Sequence, residues 1–290
     1  MSVPTAQIIC DSISPNGDRL TTMEVKMHRF VLAEFNTHRV FSRNSSSSRA
    51  IPVKKMIERV KNDPAMPVFW GKNQSGMSAD EEFSPEEIEI KKRDWLIVRD
   101  KSIEFVEKHS DLHKQLANRL LEPFMWHTAI VSSTDWTNAF AQRCHPAAQP
   151  ETRAAFMAMQ YAYYTSKPVR LEYGEWHLPY ISGQDEKEVE NKDYHGIVAI
   201  DQLKKISVAR CARVSYLTHD GKRDIEEDIK MFDKLIKAVP MHASPLEHVA
   251  TPHKRGYCGM GGNFYGWNQF RHFFIQENIT EFIPNHPDLV

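Results

Sequence analysis

The 290-residue chain is long enough to bury a substantial core as one large domain or two, and its 41% hydrophobic and 26% charged composition is that of an ordinary globular protein. Its net charge of −1, from 37 basic and 38 acidic residues, argues against a surface devoted to gripping DNA or RNA. The cysteines are scattered and form no Cys-x-x-Cys pair, which predicts reduced thiols. The sequence shows neither a signal-peptide pattern nor a long apolar run, so we expect a cytoplasmic protein without a membrane span.

The first predicted elements are two strands and a helix. Residues 6–13 and 19–26 have the alternation typical of strands, and residues 15–18 form a turn between them. Apolar residues recur every fourth position from Met27 to Phe35, which predicts an amphipathic helix after the second strand. This helix leads directly into a segment rich in serine and arginine.

The segment from Thr37 to Arg49 is the strongest candidate for a binding site. It contains Arg39, Arg43 and Arg49, a histidine and six hydroxyl side chains, but no carboxylate. Guanidinium groups and short hydroxyl donors suit an anion with several oxygens, most simply a phosphate. A flexible Ser-rich linker is the alternative, and the helix that precedes the segment disfavours it.

Helices are predicted next over 52–61, 84–108 and 113–121. The second begins with Ser-Pro-Glu-Glu, which supplies a hydroxyl cap, a proline in the first turn and a glutamate three residues after the cap. Residues 63–83, rich in Pro, Gly, Asn and Ser, are expected to cross the surface as a loop. The apolar side chains expected to face the core from the second helix are Ile88, Trp95, Val98 and Phe105.

Two further helices are predicted to meet at a short junction. Ser132 to Asp135 supply cap residues for the first, which carries Asn138 and Arg143, and the second starts at Gln149-Pro150-Glu151. Polar groups at such a junction often serve only as helix caps. Farther along, the sequence predicts a strand over 169–176, a loop over 183–194, a new ordered unit from Ser207 and an amphipathic helix over 225–236 that ends before Pro240.

A metal site is the first chemistry to test, because the chain has 14 histidines. His242, His248, His253 and His272 lie close together in sequence, but their spacing matches neither His-Glu-x-x-His nor a paired-cysteine zinc pattern. No metal site is therefore predicted. A Gly-x-Ser-x-Gly elbow is also lacking, and the glycines of residues 256–266 favour a turn or a close backbone approach over a phosphate loop.

Three sequence blocks resemble the flavin-dependent thymidylate synthase (ThyX) family. Thr37-His-Arg-x-x-Ser-x-Asn-x-x-Ser-x-Arg49 resembles that family's signature Arg-His-Arg-x-x-Ser-x-Asn-Glu-x-Ser-x-Arg. Asn138-x4-Arg143-x5-Gln149-x-Glu151 has the spacing of a later family segment. The segments 212–216 and 242–248 resemble the family's opening segment, here placed near the end of the chain, which is the pattern of a circular permutation.

The resemblance implies an α+β, ThyX-like fold that is permuted, with long helices packed on a mixed sheet in one domain over 1–290. Residues 1–165 would hold the signature loop and the nucleotide-binding helices. Residues 166–205 would connect them to 206–290, the part that resembles the family's N-terminal region.

The same resemblance implies a homotetramer that binds FAD and a pyrimidine deoxynucleoside monophosphate. The enzyme would transfer a one-carbon unit from methylenetetrahydrofolate to C5 of the base, as in the conversion of dUMP to dTMP, with NADPH as reductant of the flavin. No membrane partner is expected, and nucleic acid is not expected as a partner.

Site residues follow from the resemblance position by position. The catalytic set would be Ser47, Arg143 and His248. The flavin-binding set would be His38, Arg39, Asn44, Ser45, Asn138 and His248, and the substrate-binding set would be Glu34, Ser47, Ser48, Arg49 and Arg143. Arg49, Arg143 and His248 are accordingly expected to line one shared cavity.

Departures from the family pattern leave other functions open. Thr37 stands where the family has arginine, Ser45 where it has glutamate, and Glu34 where it usually has glutamine. Ala129 falls near the expected place of another arginine. The alternatives are a flavin-dependent nucleotide hydroxymethylase, in which water rather than hydride completes the reaction at C5, and a non-catalytic protein that binds nucleotides or single-stranded nucleic acid.

Overall fold

The computed structural model describes residues 2–192, 196–214, 224–254 and 259–274. These residues form two β-sheets with helices around them, so the predicted α+β class is confirmed. No helix in the described part of the chain is long and apolar enough to cross a bilayer. Outside the described ranges lie Ser215 and Tyr216 of the third sequence block and residues 256–258 of the Gly-rich stretch.

The larger sheet consists of five strands. They are β1 (Thr5–Ile13), β2 (Arg19–His28), β3 (Ser42–Ser45), β4 (Trp126–Ser133) and β5 (Val169–Arg170). Their order across the sheet is β3-β4-β2-β1-β5, and every neighbouring pair is antiparallel except β1 and β5. The sheet is therefore mixed, and the predicted hairpin of β1 and β2 is confirmed.

Two predictions about strands were wrong. Ser132 and Ser133 do not precede a helix directly but end β4, where ladders to β2 and β3 on both sides outweigh their preference for caps. The strand predicted over 169–176 is reduced to the two residues of β5, because only those two pair with β1.

Helices surround the larger sheet. The predicted cap at Ser84 is confirmed, because its hydroxyl accepts from the Glu87 amide at 3.3 Å while the Glu87 carboxylate accepts from the Ser84 amide at 3.0 Å. The helices of the described residues are α1 (Leu32–Phe35), α2 (Val53–Asn62), α3 (Pro85–Lys108), α4 (Lys114–Ala117), α5 (Thr137–Arg143), α6 (Pro150–Thr165), α7 (Gly183–Asn191), α8 (Ile197–Arg213) and α9 (Ile225–Lys237), with 3-10 turns at Arg29–Val31, Asn118–Phe124, Ser244–His248 and Phe270–Phe273.

A smaller sheet lies near the carboxyl end of the chain. Its strands are β6 (Ala250–Pro252), β7 (Met260–Gly261), β8 (Phe264–Tyr265) and β9 (Trp267–Gln269), in the order β6-β9-β7-β8. The predicted use of glycine in a close backbone approach is confirmed here, because a Cβ at Gly261 would collide with the Trp267 carbonyl oxygen.

Three predictions about helices were wrong. The loop predicted over 183–194 is largely α7, which Ser182 and Asp185 begin with a capping box. The helix predicted directly after β2 is delayed, because β2 continues to His28 and a 3-10 turn precedes the four residues of α1. The unit predicted to begin at Ser207 begins earlier, so that Ser207 lies within α8.

The predicted core-facing stripe of α3 is only partly confirmed, because Trp95 packs against a buried cluster but Val98 and Phe105 do not. Val98 is 57% exposed and Phe105 is 45% exposed, whereas Ile103 and Val106 are buried. The carboxyl-terminal half of α3 packs in a cluster with the turn Asn118–Phe124. The side chains of α3 that face this turn are therefore the buried ones. Apolar spacing alone did not identify which face of the helix has a partner.

The two faces of the larger sheet are covered differently. On one face, Met23 and Val25 of β2 and Val131 of β4 pack with Phe140 of α5 and Phe156 of α6. On the other face, the alternate residues of β2 and β4 lie toward α8 and the 3-10 turn Ser244–His248, which joins α9 to the smaller sheet. Successive residues of β2, β3 and β4 therefore place their side chains alternately on the face of α5 and α6 and on the face of α8.

A buried ionic cluster ties α7, α8 and α9 together. Arg210 donates to Asp228 at 3.0 Å and to Asp185 at 2.8 Å, and Arg213 lies 2.9 Å from Asp228. Burial alone would raise the pKa of Asp185, but hydrogen bonds from Arg210 and Ser182 lower it to about 2. A carboxylate with a lowered pKa stabilises the fold above its ordinary pKa of 3.8, and this contribution is lost as the pH falls toward 2.

We therefore expect Asp185→Asn to lower the free energy of unfolding by about 1–2 kcal/mol at neutral pH. The difference from the unmodified protein should be constant above about pH 5 and should shrink as the pH falls below 4. Urea denaturation at a series of pH values measures it. Asp233→Asn is the matched control, because the side chain of Asp233 is half-exposed and lies 3.9 Å from Lys237, so its loss should cost less than about 0.5 kcal/mol. Equal effects of the two substitutions at neutral pH would contradict the prediction.

Candidate functional site

The serine- and arginine-rich segment is part of the larger sheet. Ser42 pairs with Ser132 and Ser45 pairs with Ala129, so the segment forms β3, the terminal strand beside β4. The linker alternative is therefore wrong for residues 42–45. Because side chains alternate along a strand, Ser42 and Asn44 point to the face covered by α8, while Arg43 and Ser45 point to the opposite face.

An arginine–histidine pair lies on the face of α5 and α6. Arg143 donates from Nε to His38 Nε2 at 2.9 Å and from Nη2 to Thr37 Oγ1 at 3.0 Å. Arg43 donates to the His38 carbonyl oxygen at 2.7 Å. Since a guanidinium group can only donate, His38 Nε2 must be an acceptor, and the neutral imidazole carries its proton on Nδ1. Burial, followed by the charges of Arg143 and Arg43, lowers the pKa of His38.

Aromatic rings fix the position of this histidine. His38 stacks on Phe41 with ring centroids 5.4 Å apart and meets Phe156 at 5.3 Å. Phe41 in turn contacts Trp136 at 4.8 Å. The rings belong to three separate parts of the chain, so the core of the sheet holds the His38–Arg143 pair in place.

Within the described ranges, the arginines around β3 form no ion pairs with acidic side chains. None of Arg39, Arg43, Arg49 and Arg143 has a described carboxylate within 4.0 Å. Burial lowers the pKa of Arg43, although Glu247 opposes this effect. Glu34 Oε2 is buried and accepts no hydrogen bond from the described residues. Uncompensated guanidinium groups at a surface favour the approach of an anion.

The opposite face of the sheet carries a different group. His248 is fully buried, and its Nδ1 lies 2.8 Å from the hydroxyl of Ser132, the cross-strand partner of Ser42. Gln269 donates to the Ser42 hydroxyl at 2.8 Å and to the Glu247 carbonyl oxygen at 3.1 Å. Burial, followed by the repulsion from His177 that would arise if both rings were protonated, lowers the pKa of His248 to about 3, so this imidazole is neutral at physiological pH.

The far end of the segment is anchored separately. The Ser46 amide donates to the Thr128 carbonyl oxygen at 3.1 Å. The Ser48 hydroxyl donates to Glu122 at 2.8 Å, and Asn118 donates to the Ser48 carbonyl oxygen at 2.7 Å. At about 3.3 Å per residue, Ser46 is about 13 Å along the strand from Ser42. Ser48 therefore holds the loop that follows β3.

A cavity of about 570 Å³ opens beside this far end. Thr128, whose carbonyl oxygen holds Ser46, is part of its lining, together with Lys26 and Trp126. Lys26 Nζ lies 4.8 Å from the centre of the Trp126 ring and 3.1 Å from an oxygen of Asp63. The residues predicted for the site do not line this cavity.

The remaining residues predicted for the site have varied surroundings. Asn44 donates to the Cys211 carbonyl oxygen at 2.8 Å, which joins β3 to α8. Gln149, a residue of the second sequence block that was not predicted for the site, accepts from the Thr152 amide at 2.8 Å and caps α6. Two predicted ligand-contacting residues, Arg39 and Asn138, are exposed. Ser45 and Ser47 are half-buried.

The expected shared cavity is not found among the described residues of one copy of the chain. Arg143 and His248 lie on opposite faces of the larger sheet, and Arg49 is exposed beyond the other end of β3. None of the described cavities is lined by these three residues. The segment Thr37 to Arg49 does approach His248. Its Ser42 pairs with Ser132, and the Ser132 hydroxyl lies beside His248. Catalytic, cofactor and substrate roles for the predicted residues stay predictions.

Sequence reasoning missed the polar residues that hold His248. Ser132 and Thr22 are fully buried in the interior strands β4 and β2, and His177 is fully buried beside them. Serine and threonine are seldom fully buried in strands that are covered on both faces. Their presence in β2 and β4 was the sequence signal that could have indicated these polar contacts. Within the described ranges, no group of three or more His, Cys, Asp or Glu side chains is placed to hold a metal ion.

Comparisons with known proteins were made by sequence and by structure. Protein-family models and curated proteins give no match. Among solved structures, the chain is similar to the UMP/dUMP methylase PolB from Streptomyces cacaoi bound with 5-Br UMP, at 13% identity and a TM-score of 0.45, over 56% of this chain and 89% of that chain. It is also similar to thymidylate synthase X (ThyX) from Helicobacter pylori with FAD and dUMP, in two structures at 15% and 16% identity and TM-scores of 0.36 and 0.37, each over 50% of this chain and 67% of that chain. These last two carry the name of the family that the sequence blocks resemble.

Arg143→Ala should raise the pKa of His38 toward its ordinary value of 6.5, because the substitution removes a neighbouring positive charge and frees Nε2 to take a proton. A titration of the His38 Cε1 proton by NMR measures the change. Arg39→Ala is the matched control, since this exposed arginine one residue away makes no described contact with the imidazole. An unchanged His38 pKa in Arg143→Ala would show that the pair does not form in solution.

Proposed function

We propose that this chain is a flavin-dependent enzyme that transfers a one-carbon unit from methylenetetrahydrofolate to C5 of a pyrimidine deoxynucleoside monophosphate, of the dUMP to dTMP type. The observation that carries the proposal is the group of arginines around β3 without a described carboxylate partner, namely Arg39, Arg43, Arg49 and Arg143. Three of these four positions match arginines in the sequence blocks that resemble the ThyX family, and the fourth, Arg43, lies inside the signature.

A nucleotide monophosphate matches this charge pattern. Its phosphate would be neutralised by exposed arginines such as Arg49, and its base would lie toward Arg143. A guanidinium group near the oxygens of the pyrimidine stabilises negative charge that develops on the ring while C5 acts as the nucleophile. No activated nucleophile of the protein is then needed, in keeping with the lack of a nucleophile motif. Ser47, which is half-buried next to Arg49, would position the nucleotide.

FAD is the cofactor that the sequence resemblance implies, and some of the described residues fit it. His248 Nε2 is buried without a partner and suits a hydrogen bond to a bound ring system. Arg39 is exposed and suits the diphosphate of a dinucleotide. Asn44 fits less well, because its amide already donates to the Cys211 carbonyl oxygen. When bound and reduced by NADPH, the flavin supplies the hydride that completes the transferred group.

A second copy of the chain is proposed to complete the site. Arg143 and His248 lie on opposite faces of the sheet, so a flat ligand held by both would have to pass around the terminal strand β3. Arg39, Arg49 and Asn138 are exposed near that strand or on α5, where another subunit would cover them. In a homotetramer with composite sites, as the resemblance implies, a second subunit would cover these exposed residues and would complete a site around the edge of β3.

Thr37 favours a second candidate. Arg143 donates to the Thr37 hydroxyl, which stands where the family signature has a guanidinium group, so the site has one positive charge fewer. A changed substrate or final step is compatible with this loss, and a flavin-dependent nucleotide hydroxymethylase is the nearest such enzyme. The structural use of Asn44 favours the third possibility, a nucleotide-binding protein that lacks flavin chemistry.

The mass of the nucleotide product separates these possibilities. The purified protein is incubated with FAD, NADPH, methylenetetrahydrofolate and either dUMP or dCMP, and the nucleotide is analysed by mass spectrometry. A methylated product supports the leading proposal, whereas a hydroxymethylated product supports the second candidate. A protein that takes up no FAD, judged by its visible spectrum, and releases no tritium from C5-labelled nucleotide would contradict both enzymatic functions.

Arg49→Ala and Arg143→Ala should each weaken dUMP binding by about ten- to hundredfold, because a hydrogen bond to a charged group contributes about 1.5–3 kcal/mol. Isothermal titration calorimetry at fixed salt measures the dissociation constants. Arg170→Ala is the control, because Arg170 is an exposed arginine in β5, at the opposite edge of the same sheet. Equal losses in all three variants would indicate non-specific electrostatic attraction and would count against a nucleotide site around β3.

A further inference from the structure

A second cavity, of about 540 Å³, opens between the loop 63–83 and the junction of α5 with α6. Its walls are mainly apolar and include Phe69 of the loop, Pro146 and Pro150 of the junction, and Met157 of α6. None of the residues predicted for the candidate site lines it. Pockets that bind small organic molecules have volumes of about 300–1,000 Å³ and mostly apolar walls, so this cavity has the size and character of a ligand site.

Buried polar contacts hold the walls of this cavity in place. Glu151, in the first turn of α6, is buried, and its carboxylate accepts from the Val68 amide of the loop at 2.8 Å and from the Gln149 side chain. His28 of β2 donates from Nε2 to the Met66 carbonyl oxygen at 2.8 Å. The loop is thereby joined both to α6 and to the larger sheet, and these contacts fix the shape of the cavity.

Arg153 supplies the one positive charge among the described residues that line this cavity. It lies near the start of α6 and is half-buried, and its Nε is buried with no hydrogen-bond partner in the described part of the chain. No described carboxylate lies within 4.0 Å of its guanidinium group. A guanidinium group that is partly removed from water and left unpaired is costly, so an anion bound beside it gains both a charge interaction and hydrogen bonds.

The charges of the lining favour a ligand with one negative charge over a ligand with two. Asp80 also lines the cavity, so the charges of Arg153 and Asp80 sum to zero. A carboxylate carries a single charge, and its two oxygens match two parallel N–H donors of a guanidinium group. A phosphate monoester carries about 1.5–2 negative charges at neutral pH, and one arginine would leave the excess charge uncompensated in a cavity that also contains Asp80.

The apolar walls indicate the rest of the ligand. An aromatic ring packs favourably against another ring such as that of Phe69 and against a thioether such as that of Met157. Pro146 follows Arg143 by three residues, so their Cα atoms are at most about 11 Å apart. The cavity therefore adjoins the His38–Arg143 pair without sharing its residues.

We propose that this cavity binds an aromatic monocarboxylate, with the carboxylate on Arg153 and the ring against Phe69 and Met157. The proposal goes beyond the proposed function and does not rest on it, because the residues that line the cavity belong to none of the catalytic, flavin-binding or substrate-binding sets. A ligand here occupies a site separate from that of the nucleotide.

The charge contact is tested with 2-naphthoate, a two-ring aromatic monocarboxylate, whose binding to the full-length protein is measured by isothermal titration calorimetry at fixed salt. We expect Arg153→Gln to weaken binding by about ten- to hundredfold, the effect of losing a hydrogen bond to a charged group. Arg143→Gln is the matched control, because Arg143 is also half-buried without a described carboxylate partner but does not line the cavity, and it should leave the dissociation constant unchanged. Equal losses in the two variants, or no binding to the unmodified protein, would overturn the proposal.

The position of the ring is tested by filling the cavity. Ala154 lines it, so Ala154→Phe should abolish 2-naphthoate binding although Arg153 is retained. Ala158→Phe is the matched control, because Ala158 lies one turn later in α6 and is also half-buried but is not part of the lining. Circular dichroism confirms that both variants are folded. Undiminished binding to a folded Ala154→Phe variant would place the ligand elsewhere and would refute the assignment of this cavity.

The class of ligand is tested with two analogues of the same ring system. We expect 2-naphthamide, which is neutral, to bind about ten- to hundredfold more weakly than 2-naphthoate, as expected for Arg153→Gln. We expect 2-naphthyl phosphate, which carries more negative charge, also to bind more weakly than 2-naphthoate. An amide that binds as tightly as the carboxylate would rule out the contact with Arg153, and a phosphate that binds more tightly would rule out a monocarboxylate as the ligand.

Discussion

The pairing of β3 with β4 is the interaction on which the candidate site depends. Without it, residues 42–45 would be a polar stretch of chain whose side chains had no fixed orientation. The ladder from Ser42 to Ser45 gives the segment two sides, because a strand sends successive side chains to opposite faces. One side joins the buried hydroxyl groups next to His248, and the other joins Arg143.

These two sides differ in charge and in contact with solvent. The surroundings of His248 are enclosed, and burial lowers the pKa values of His177 and His248 to about 3, so both imidazoles are neutral at physiological pH. The surroundings of Arg143 are cationic and partly open, and neither Arg143 nor Arg43 has a described carboxylate within 4.0 Å. A ligand with an uncharged ring system and an anionic end has both features. The division of the site by a terminal strand also explains why no described cavity of one copy is lined by Arg49, Arg143 and His248 together.

Local signals in the sequence predicted the elements whose ends are set by their own residues. Ser84 and Glu87 make a capping box through contacts three residues apart, so the start of α3 was correct. Elements that depend on distant partners were missed. β4 exists because strands on both sides pair with it, and the buried face of α3 is chosen by the turn Asn118–Phe124. The site follows the same rule, since the contact of Arg143 with His38 joins residues 105 positions apart. Spacing within a motif identified both residues but could not identify their contact.

The contact between Thr37 and Arg143 bears on which ligand the site can hold. An arginine at position 37 would place a second positive charge beside the guanidinium group of Arg143, and two unit charges about 4 Å apart repel by about 4 kcal/mol at an effective dielectric constant of about 20. Two arginines in that position would therefore favour an anion between them. Threonine removes the repulsion and instead accepts from Arg143 Nη2 at 3.0 Å, while His38 accepts from Nε. Arg143 is thereby held in place before any ligand arrives, with Nη1 directed to no described acceptor. The site therefore has one guanidinium group that is held in position without a ligand. Such a group suits a neutral carbonyl oxygen of a base better than a second phosphate.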